Sequence, residues 1–230
     1  MSLVSPHLLD NVVWHSLTGP RAGLGERVGQ AARFHPDVSP FGAIEDTSAG
    51  AWADLTALVG AGGVTCVFAT GLDLPEGWQP LMEVPCGQLV AARVTTGGES
   101  DGLVDLVAGD VPEMLELVAA TKPGPFGPRT IDFGGYVGLR DDDGRLVAMA
   151  GERLRCDGFT EISAVCTALD QQGRGLGTRM VRALVERIRA RGEEAFLHVA
   201  ESNRSAYRLY LDLGFVERST PVANVIRAPS

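Results

Sequence analysis

The chain has 230 residues, of which 45% are hydrophobic and 21% charged, so it can bury the core of one large domain or two small ones, which excludes a disordered chain. Twenty basic side chains against 29 acidic ones give a net charge of −9, and this argues against a nucleic-acid partner held by phosphate neutralisation. The sequence has neither a basic, apolar leader nor a stretch of about 18 apolar residues, so we expect a cytoplasmic protein without a membrane partner.

The cysteines and histidines do not form a metal-binding pattern. The four cysteines are far apart with no C-x-x-C pair, and the four histidines are scattered. Free thiols in a reducing compartment and no metal site are therefore expected.

The first part of the chain, residues 1–98, is interpreted as a smaller, divergent α/β region. A helix is predicted over residues 6–17, and strands at 41–44 and 64–68 flank a helix near 52–59. One or two strands follow between residues 81 and 94. A degenerate copy of the second region's fold is one alternative for this part of the chain.

The Gly/Thr/Ser-rich stretch at residues 95–102 is the predicted boundary with a second region, residues 99–230. Strands and helices alternate in this region, which predicts an α/β or α+β sheet. The predicted strands are 103–107, 136–139, 146–154, 160–167, 195–199 and one from residue 215. The predicted helices are 111–120, 175–191 and 203–213, and a proline-rich loop covers 121–130.

A glycine-rich turn at residues 172–178 (QGRGLGT) separates a predicted strand from an amphipathic helix. Backbone N–H groups at a helix start lack partners within the helix and lie at the positive end of its dipole, and glycines let a phosphate approach the main chain. The turn therefore predicts an anion-binding loop. It has neither the P-loop lysine nor the G-x-G-x-x-G spacing of a dinucleotide site; its pattern is Q-x-x-G-x-G.

Three motifs follow one another in the second region: EISAVCT at 161–167, QGRGLGT at 172–178 and NRSAYRLYLDLGF at 203–215. Because these motifs occur in this order, residues 103–220 resemble the GCN5-related N-acetyltransferase (GNAT) family. They most closely resemble its FR47-like subgroup. The resemblance implies a mixed sheet flanked by helices, acetyl-CoA as cosubstrate, and direct acetyl transfer to a primary amine of a small molecule or peptide.

The resemblance also implies a set of cofactor contacts. The pantetheine arm is expected on the main chain of Val165, Cys166 and Thr167. Asn203 matches a position that orients cofactor or water, and Tyr210 matches the tyrosine that protonates the departing thiolate. The pyrophosphate is expected on the glycine-rich turn, made of Gln172, Gly173, Arg174, Gly175, Leu176, Gly177 and Thr178.

The residues alone allow a structural role for several of these positions. Asn203 is equally suited to be a helix N-cap, and Tyr210 to be a core aromatic. Cys166 is interpreted as a buried core thiol rather than a nucleophile, because strand alternation turns it away from Val165 and Thr167.

Two residues match general bases of different branches of the family. Glu161 stands where histone-type members keep a glutamate, and His198 stands where ribosomal-protein-type members carry one. An ammonium must lose a proton before it attacks a thioester, and a partly buried carboxylate or imidazole with a pKa near neutrality suits that task. Glu161 is the preferred base and His198 the alternative.

The identity of the acceptor is not encoded in the motifs. Its site is expected between the loop at 121–130 and part of the first region. A non-catalytic acyl-CoA-binding sensor is the alternative function, and a homodimer is one alternative for the oligomeric state.

Overall fold

The computed structural model describes residues 7–97 and 101–230, so the predicted boundary at 95–102 lies partly outside the described residues. The helices are α1 (Val12–Leu17), α2 (Ala49–Val59), α3 (Val111–Thr121), α4 (Leu176–Arg189) and α5 (Arg204–Leu213). The strands are β1 (Gly25–Val28), β2 (Ala31–Phe34), β3 (Gly42–Ile44), β4 (Val64–Ala69), β5 (Gln79–Val90), β6 (Val104–Asp105), β7 (Val137–Arg140), β8 (Leu146–Cys156), β9 (Phe159–Thr167), β10 (Glu194–Ala200), β11 (Val216–Ser219) and β12 (Val222–Arg227).

The first region differs from the sequence prediction in two places. The helix expected over 6–17 is a short 3-10 turn, Leu8–Asn11, followed by α1. The antiparallel hairpin of β1 and β2 was not predicted, because its four-residue strands are too short to show an alternating pattern. In the described chain, β1, β2 and β3 form a three-stranded sheet that packs against α1 and α2.

The main sheet joins strands from both predicted regions. Within the described residues it has nine strands in the order β4-β12-β5-β10-β9-β8-β7-β6, and β11 pairs with β5 beside this path. The long strand β5 lies between β12 and β10 and is antiparallel to both. The predicted mixed sheet flanked by helices is confirmed, whereas the division at residues 98 and 99 and the degenerate copy remain predictions.

Two parallel strands diverge at the centre of this sheet. The β9–β10 ladder ends with the pair Glu161 and Phe196, after which β10 continues along β5 and β9 along β8. The β8–β9 register also shifts before Cys166, next to Ala164, whose φ of 53° is left-handed. The divergence leaves main-chain groups of β9 without a neighbouring strand and opens a gap in the sheet.

Helix α4 packs against β8, β9 and β10 through its apolar stripe. Met180, Val181, Leu184, Val185 and Ile188 are all fully buried, as the helical period of these residues predicts. This packing holds the glycine-rich turn at the edge of the gap. Among the described residues, no helix is long and apolar enough to cross a membrane.

Candidate active site

Two adjoining cavities occupy the gap between β9 and β10. The first, of about 500 Å³, lies at the start of α4, and the second, of about 510 Å³, lies between the two strands and the first region. The residues that line both cavities are Lys122, Pro123, Val165, Asn203, Ala206 and Tyr210. The two spaces are therefore contiguous at these residues.

The first cavity collects most of the residues expected to bind the cofactor. It is lined by Val165, Cys166, Thr167, Gln172, Gly173, Gly175, Leu176, Gly177, Thr178 and Asn203. Arg174 is in the turn but does not line the cavity, and its guanidinium donates a hydrogen bond to the Gln171 side chain. The structure thus brings the three predicted segments to one place.

The glycines leave the start of α4 open. Gly175 is the N-cap of the helix and has a φ of 77°, and Gly173 has a φ of 76°. Both conformations are left-handed and favour glycine. A Cβ at either residue would meet no atom within 4 Å. Because the first N–H groups of a helix have no partner within it, this open surface can donate to an anion.

Asn203 has the structural role that its position in the sequence allows. Its Oδ1 accepts from the Ala206 backbone N–H at 3.2 Å and caps α5. It also lines both cavities, so the cap leaves part of the residue in contact with the site.

Tyr210 lies between the two cavities. Its ring is 8% exposed and packs against Phe215 with the ring centroids 5.7 Å apart. Burial raises the pKa of the Tyr210 hydroxyl to about 12. The hydroxyl therefore keeps its proton near neutral pH. In the described part of the chain it has no hydrogen-bond partner, so it is free to donate to a ligand.

Cys166 is buried, as expected for a core thiol. Burial raises its pKa to about 11. The thiol is therefore protonated near neutral pH, which does not favour a nucleophilic role.

Glu161 lies in a buried ion pair instead of in the wall of either cavity. Arg153 holds the carboxylate at both oxygens, with Nε donating to Oε2 at 2.8 Å and Nη2 donating to Oε1 at 2.7 Å. Burial alone would raise the Glu161 pKa, but the Arg153 charge and the hydrogen bonds from Arg153 and His198 lower it to about 2. A fully buried carboxylate with this pKa and both oxygens occupied is a poor acceptor for the proton of an amine, so the preference for Glu161 as the base is not supported.

The ring of His198 is fixed at both nitrogens. Nδ1 lies 2.7 Å from Glu161 Oε1, and Nε2 lies 3.0 Å from Gln88 Nε2. The Gln88 amide is oriented by its other contacts, since its Oε1 accepts from Arg218 and its Nε2 donates to the Leu9 carbonyl. We therefore assign the neutral tautomer in which Nδ1–H donates to Glu161 and Nε2 accepts from Gln88.

The second cavity has an aromatic and apolar wall from the first region. The Phe68 ring stacks on His198 with the centroids 4.5 Å apart, and the Phe41 ring lies under the Arg153 guanidinium. The loop at 121–130 adds four residues, 122–125. The two parts of the chain that were expected to surround an acceptor thus meet at this cavity.

Sequence reasoning missed Arg153, Gln88, Phe41 and Phe68. Arg153 left only a weak signal, because the strand 146–156 also carries Glu152 and Arg155, and the sequence does not show which of these charges is buried and needs a partner. The other three left none, since their positions depend on how the first region joins the sheet.

Three comparisons with known proteins agree with this geometry. The family model described as FR47-like protein matches residues 136–223. A structure described as an acetyltransferase from the GNAT family of Novosphingobium aromaticivorans is 37% identical, with a TM-score of 0.88, and the match covers 98% of this chain and 100% of that one. A GCN5-related N-acetyltransferase from Kribbella flavida shares the fold at 16% identity and a TM-score of 0.66, over 96% of both chains.

A curated relative matches a shorter segment. The mycothiol acetyltransferase of Thermomonospora curvata is 36% identical over 85 residues, which is 36% of this chain and 29% of that protein. This chain thus matches less than a third of that relative's length. The similarity over the full length of the Novosphingobium protein, together with the motifs and the fold, shows that this chain belongs to the GCN5-related N-acetyltransferase family.

Proposed function

We propose that the chain transfers the acetyl group of acetyl-CoA to a primary amine of a small molecule or peptide by direct attack. The observation that carries the proposal is the contact between the two cavities at Val165 and Tyr210. One cavity has the open helix start that suits a diphosphate, and the other offers separate space for an acceptor.

The first cavity would hold acetyl-CoA, which supplies the activated acetyl group. Backbone N–H groups of residues 173–178 would donate to its diphosphate, where the left-handed glycines keep side chains out of the way. The main chain of residues 165–167, beside the divergence of β9 and β10, would pair with the pantetheine arm and donate to the carbonyl oxygen.

The second cavity favours an amine that is already neutral. Its described lining contains the cations Arg153 and Lys122 and neither Asp nor Glu. An ammonium placed there finds no carboxylate in the lining to pair with and is repelled by Lys122, so its pKa falls and the free amine is the form that binds. This role of the cavity makes a side-chain base unnecessary.

Tyr210 would supply the proton that the leaving group needs. The amine nitrogen forms the new C–N bond, the C–S bond breaks, the thiolate takes the Tyr210 proton and the nitrogen releases one to water. Tyr210 then regains a proton from water before the next turnover. The raised pKa of Tyr210, about 12, keeps the donor protonated before the reaction.

His198 and Glu161 would act as positioning residues. Both nitrogens of His198 are engaged, and Glu161 is enclosed by Arg153, so neither is free to take a proton from the acceptor. Their hydrogen bonds hold the β10 and β9 walls of the second cavity in place.

A thiol-release assay with acetyl-CoA and a panel of primary amines tests the proposal. We expect kcat/KM to rise with pH in parallel with the neutral fraction of each amine, because the free amine is the form that binds. His198→Gln should keep this profile. If kcat/KM instead follows the titration of a group on the enzyme, and His198→Gln abolishes that dependence, the neutral-amine step is contradicted. If the protein binds acetyl-CoA but no amine causes thiol release, the sensor is favoured.

A further inference from the structure

Arg153 is buried in the wall of the second cavity with part of its guanidinium unused. The residue is 8% exposed, and its Nε and Nη2 both donate to Glu161. Within residues 7–97 and 101–230, Nη1 has no hydrogen-bond acceptor, yet it is not sealed from the cavity. The two N–H groups of Nη1 are thus open to a bound molecule.

The orientation of this group is fixed on two sides. The paired hydrogen bonds to Glu161 hold the guanidinium plane, and the Phe41 ring lies under it with 4.8 Å between Cζ and the ring centroid. Burial would lower the pKa of Arg153, but the Glu161 carboxylate raises it, so the group stays charged. A charged, planar donor held in this way is suited to a carboxylate oxygen.

The rest of the cavity wall favours an apolar molecule with a negative group. Lys122 is the other cation, and the lining that the structure describes contains no Asp or Glu. A cationic acceptor such as a polyamine would find no counter-charge there. The large apolar side chains in the wall include Phe41, Phe68, Met82, Val84, Ile162 and Val225.

We propose that the acceptor is an apolar amine that also carries a carboxylate, as an aliphatic or aromatic amino acid does. This inference rests on the proposed function. Arg153 Nη1 binds the carboxylate, and the apolar wall takes the side chain. The amine faces the first cavity beside Tyr210, where the two cavities meet. A cavity of about 510 Å³ has room for a molecule of this size.

The wild-type protein provides the first test. Leucine, leucinamide and 3-methylbutylamine share one side chain and differ at the carboxylate, as do phenylalanine, its amide and phenethylamine. With rates corrected for the neutral fraction of each amine, we expect the amino acids to have a KM lower by about 10-fold or more, the scale of a lost charge-assisted hydrogen bond. Equal or better use of the decarboxylated amines would overturn the proposal.

A carboxylate that lacks an amine tests the proposed carboxylate site independently of acetyl transfer. By calorimetry 4-methylpentanoate should bind the wild-type protein, and in the assay it should compete with the acceptor and not with acetyl-CoA. If no amine releases thiol but 4-methylpentanoate still binds, the proposed function fails and the carboxylate site stands. If amines are acetylated and 4-methylpentanoate does not bind, the carboxylate site fails alone.

Arg153→Lys removes the planar donor but keeps a cation beside Glu161. We expect it to raise the KM for leucine by about 10-fold more than it raises the KM for 3-methylbutylamine. The matched control is Arg155→Lys on the same strand, because Arg155 pairs with Glu193 and does not line the cavity. If a folded Arg153→Lys protein shows the same increase in KM for both substrates, the proposal is overturned. If the variant misfolds, competition by 4-methylpentanoate in the wild-type protein decides.

Discussion

At the scale of single residues, Arg153, Glu161, His198 and Gln88 form a buried hydrogen-bonded cluster that holds an ion pair. Charged groups are costly to bury unless every hydrogen-bonding position is satisfied. Arg153 and His198 donate hydrogen bonds to the Glu161 carboxylate, and Gln88 donates one to Nε2 of His198. Removing one member therefore leaves the others without compensation.

The lowered pKa of Glu161 links this cluster to acid stability. Its folded pKa of about 2 lies below the usual 4.5, so its contribution is complete above pH 4.5 and is lost as the pH falls towards 2. The difference corresponds to about 3 kcal/mol of unfolding free energy. Urea unfolding should show Glu161→Gln to be less stable than the parent at pH 7, by a gap that narrows below pH 4.5.

The control for this prediction is Asp170→Asn, which removes an exposed carboxylate paired with Arg145. Exposed pairs contribute little to stability, so this variant should unfold almost like the parent at pH 7. A gap between Glu161→Gln and the parent that stays constant from pH 7 to pH 2.5 would contradict the linkage.

Tyr210→Phe keeps the buried ring and removes the hydroxyl. We expect turnover to fall by about 10²-fold, the usual scale for loss of a general acid. CoA affinity and the unfolding temperature should change little, because the hydroxyl has no hydrogen-bond partner among the described residues. Turnover equal to that of the parent would return Tyr210 to the role of a core aromatic.

At the scale of single elements, the start of α4 combines a structural and a functional requirement. Its apolar stripe fixes the helix on the sheet, and its first turn carries open N–H groups. The second residue of the helix, Gly177, lies in the wall of the first cavity, and a Cβ there would come no closer than 4.0 Å to Val165.

Substitutions at Gly177 can separate folding from binding. A glutamate near a helix N-terminus interacts favourably with the dipole, so Gly177→Glu should fold as stably as the parent. Its carboxylate would repel the diphosphate, and we expect CoA affinity to fall by about 10-fold or more. Gly177→Ala adds only a methyl group and is the matched control, with affinity close to that of the parent. Calorimetry with CoA measures both, and unchanged affinity in folded Gly177→Glu would exclude this turn as the diphosphate site.

At the scale of the whole molecule, the central sheet depends on a strand from the first region. β5 separates β12 from β10 and pairs with both, and its residue Leu89 is fully buried. The first region also supplies one wall of the second cavity through Phe41 and Phe68. The main sheet, the second cavity and the buried cluster around Glu161 thus all contain residues from both parts of the chain.

A fragment of residues 101–230 should not fold alone. Without β5, the strands β10 and β12 lose their common neighbour, and their backbone groups and apolar faces are exposed. We expect the fragment to be insoluble or to lack a cooperative thermal transition by circular dichroism, and co-expression with residues 1–100 to restore a complex. A soluble fragment with a cooperative transition would show that the second region is an independent domain.

The sequence by itself determined the elements whose pattern is local. The helical period of the stripe in α4 and the glycines of the 172–178 turn depend only on neighbours a few residues away. The order of the three motifs also indicated the family, and the residues expected to bind the cofactor follow each other closely enough in the chain to be proposed together.

The tertiary structure decided which distant residues meet. Gln88 and His198 are 110 residues apart and contact each other because β5 enters the sheet beside β10. The family resemblance favours Glu161 as a base. The sequence cannot show that Arg153, on the neighbouring strand, binds both oxygens of this carboxylate. The pKa of a buried group and the wall of a cavity depend on strand order and register, and these arise from packing between segments that no local pattern connects.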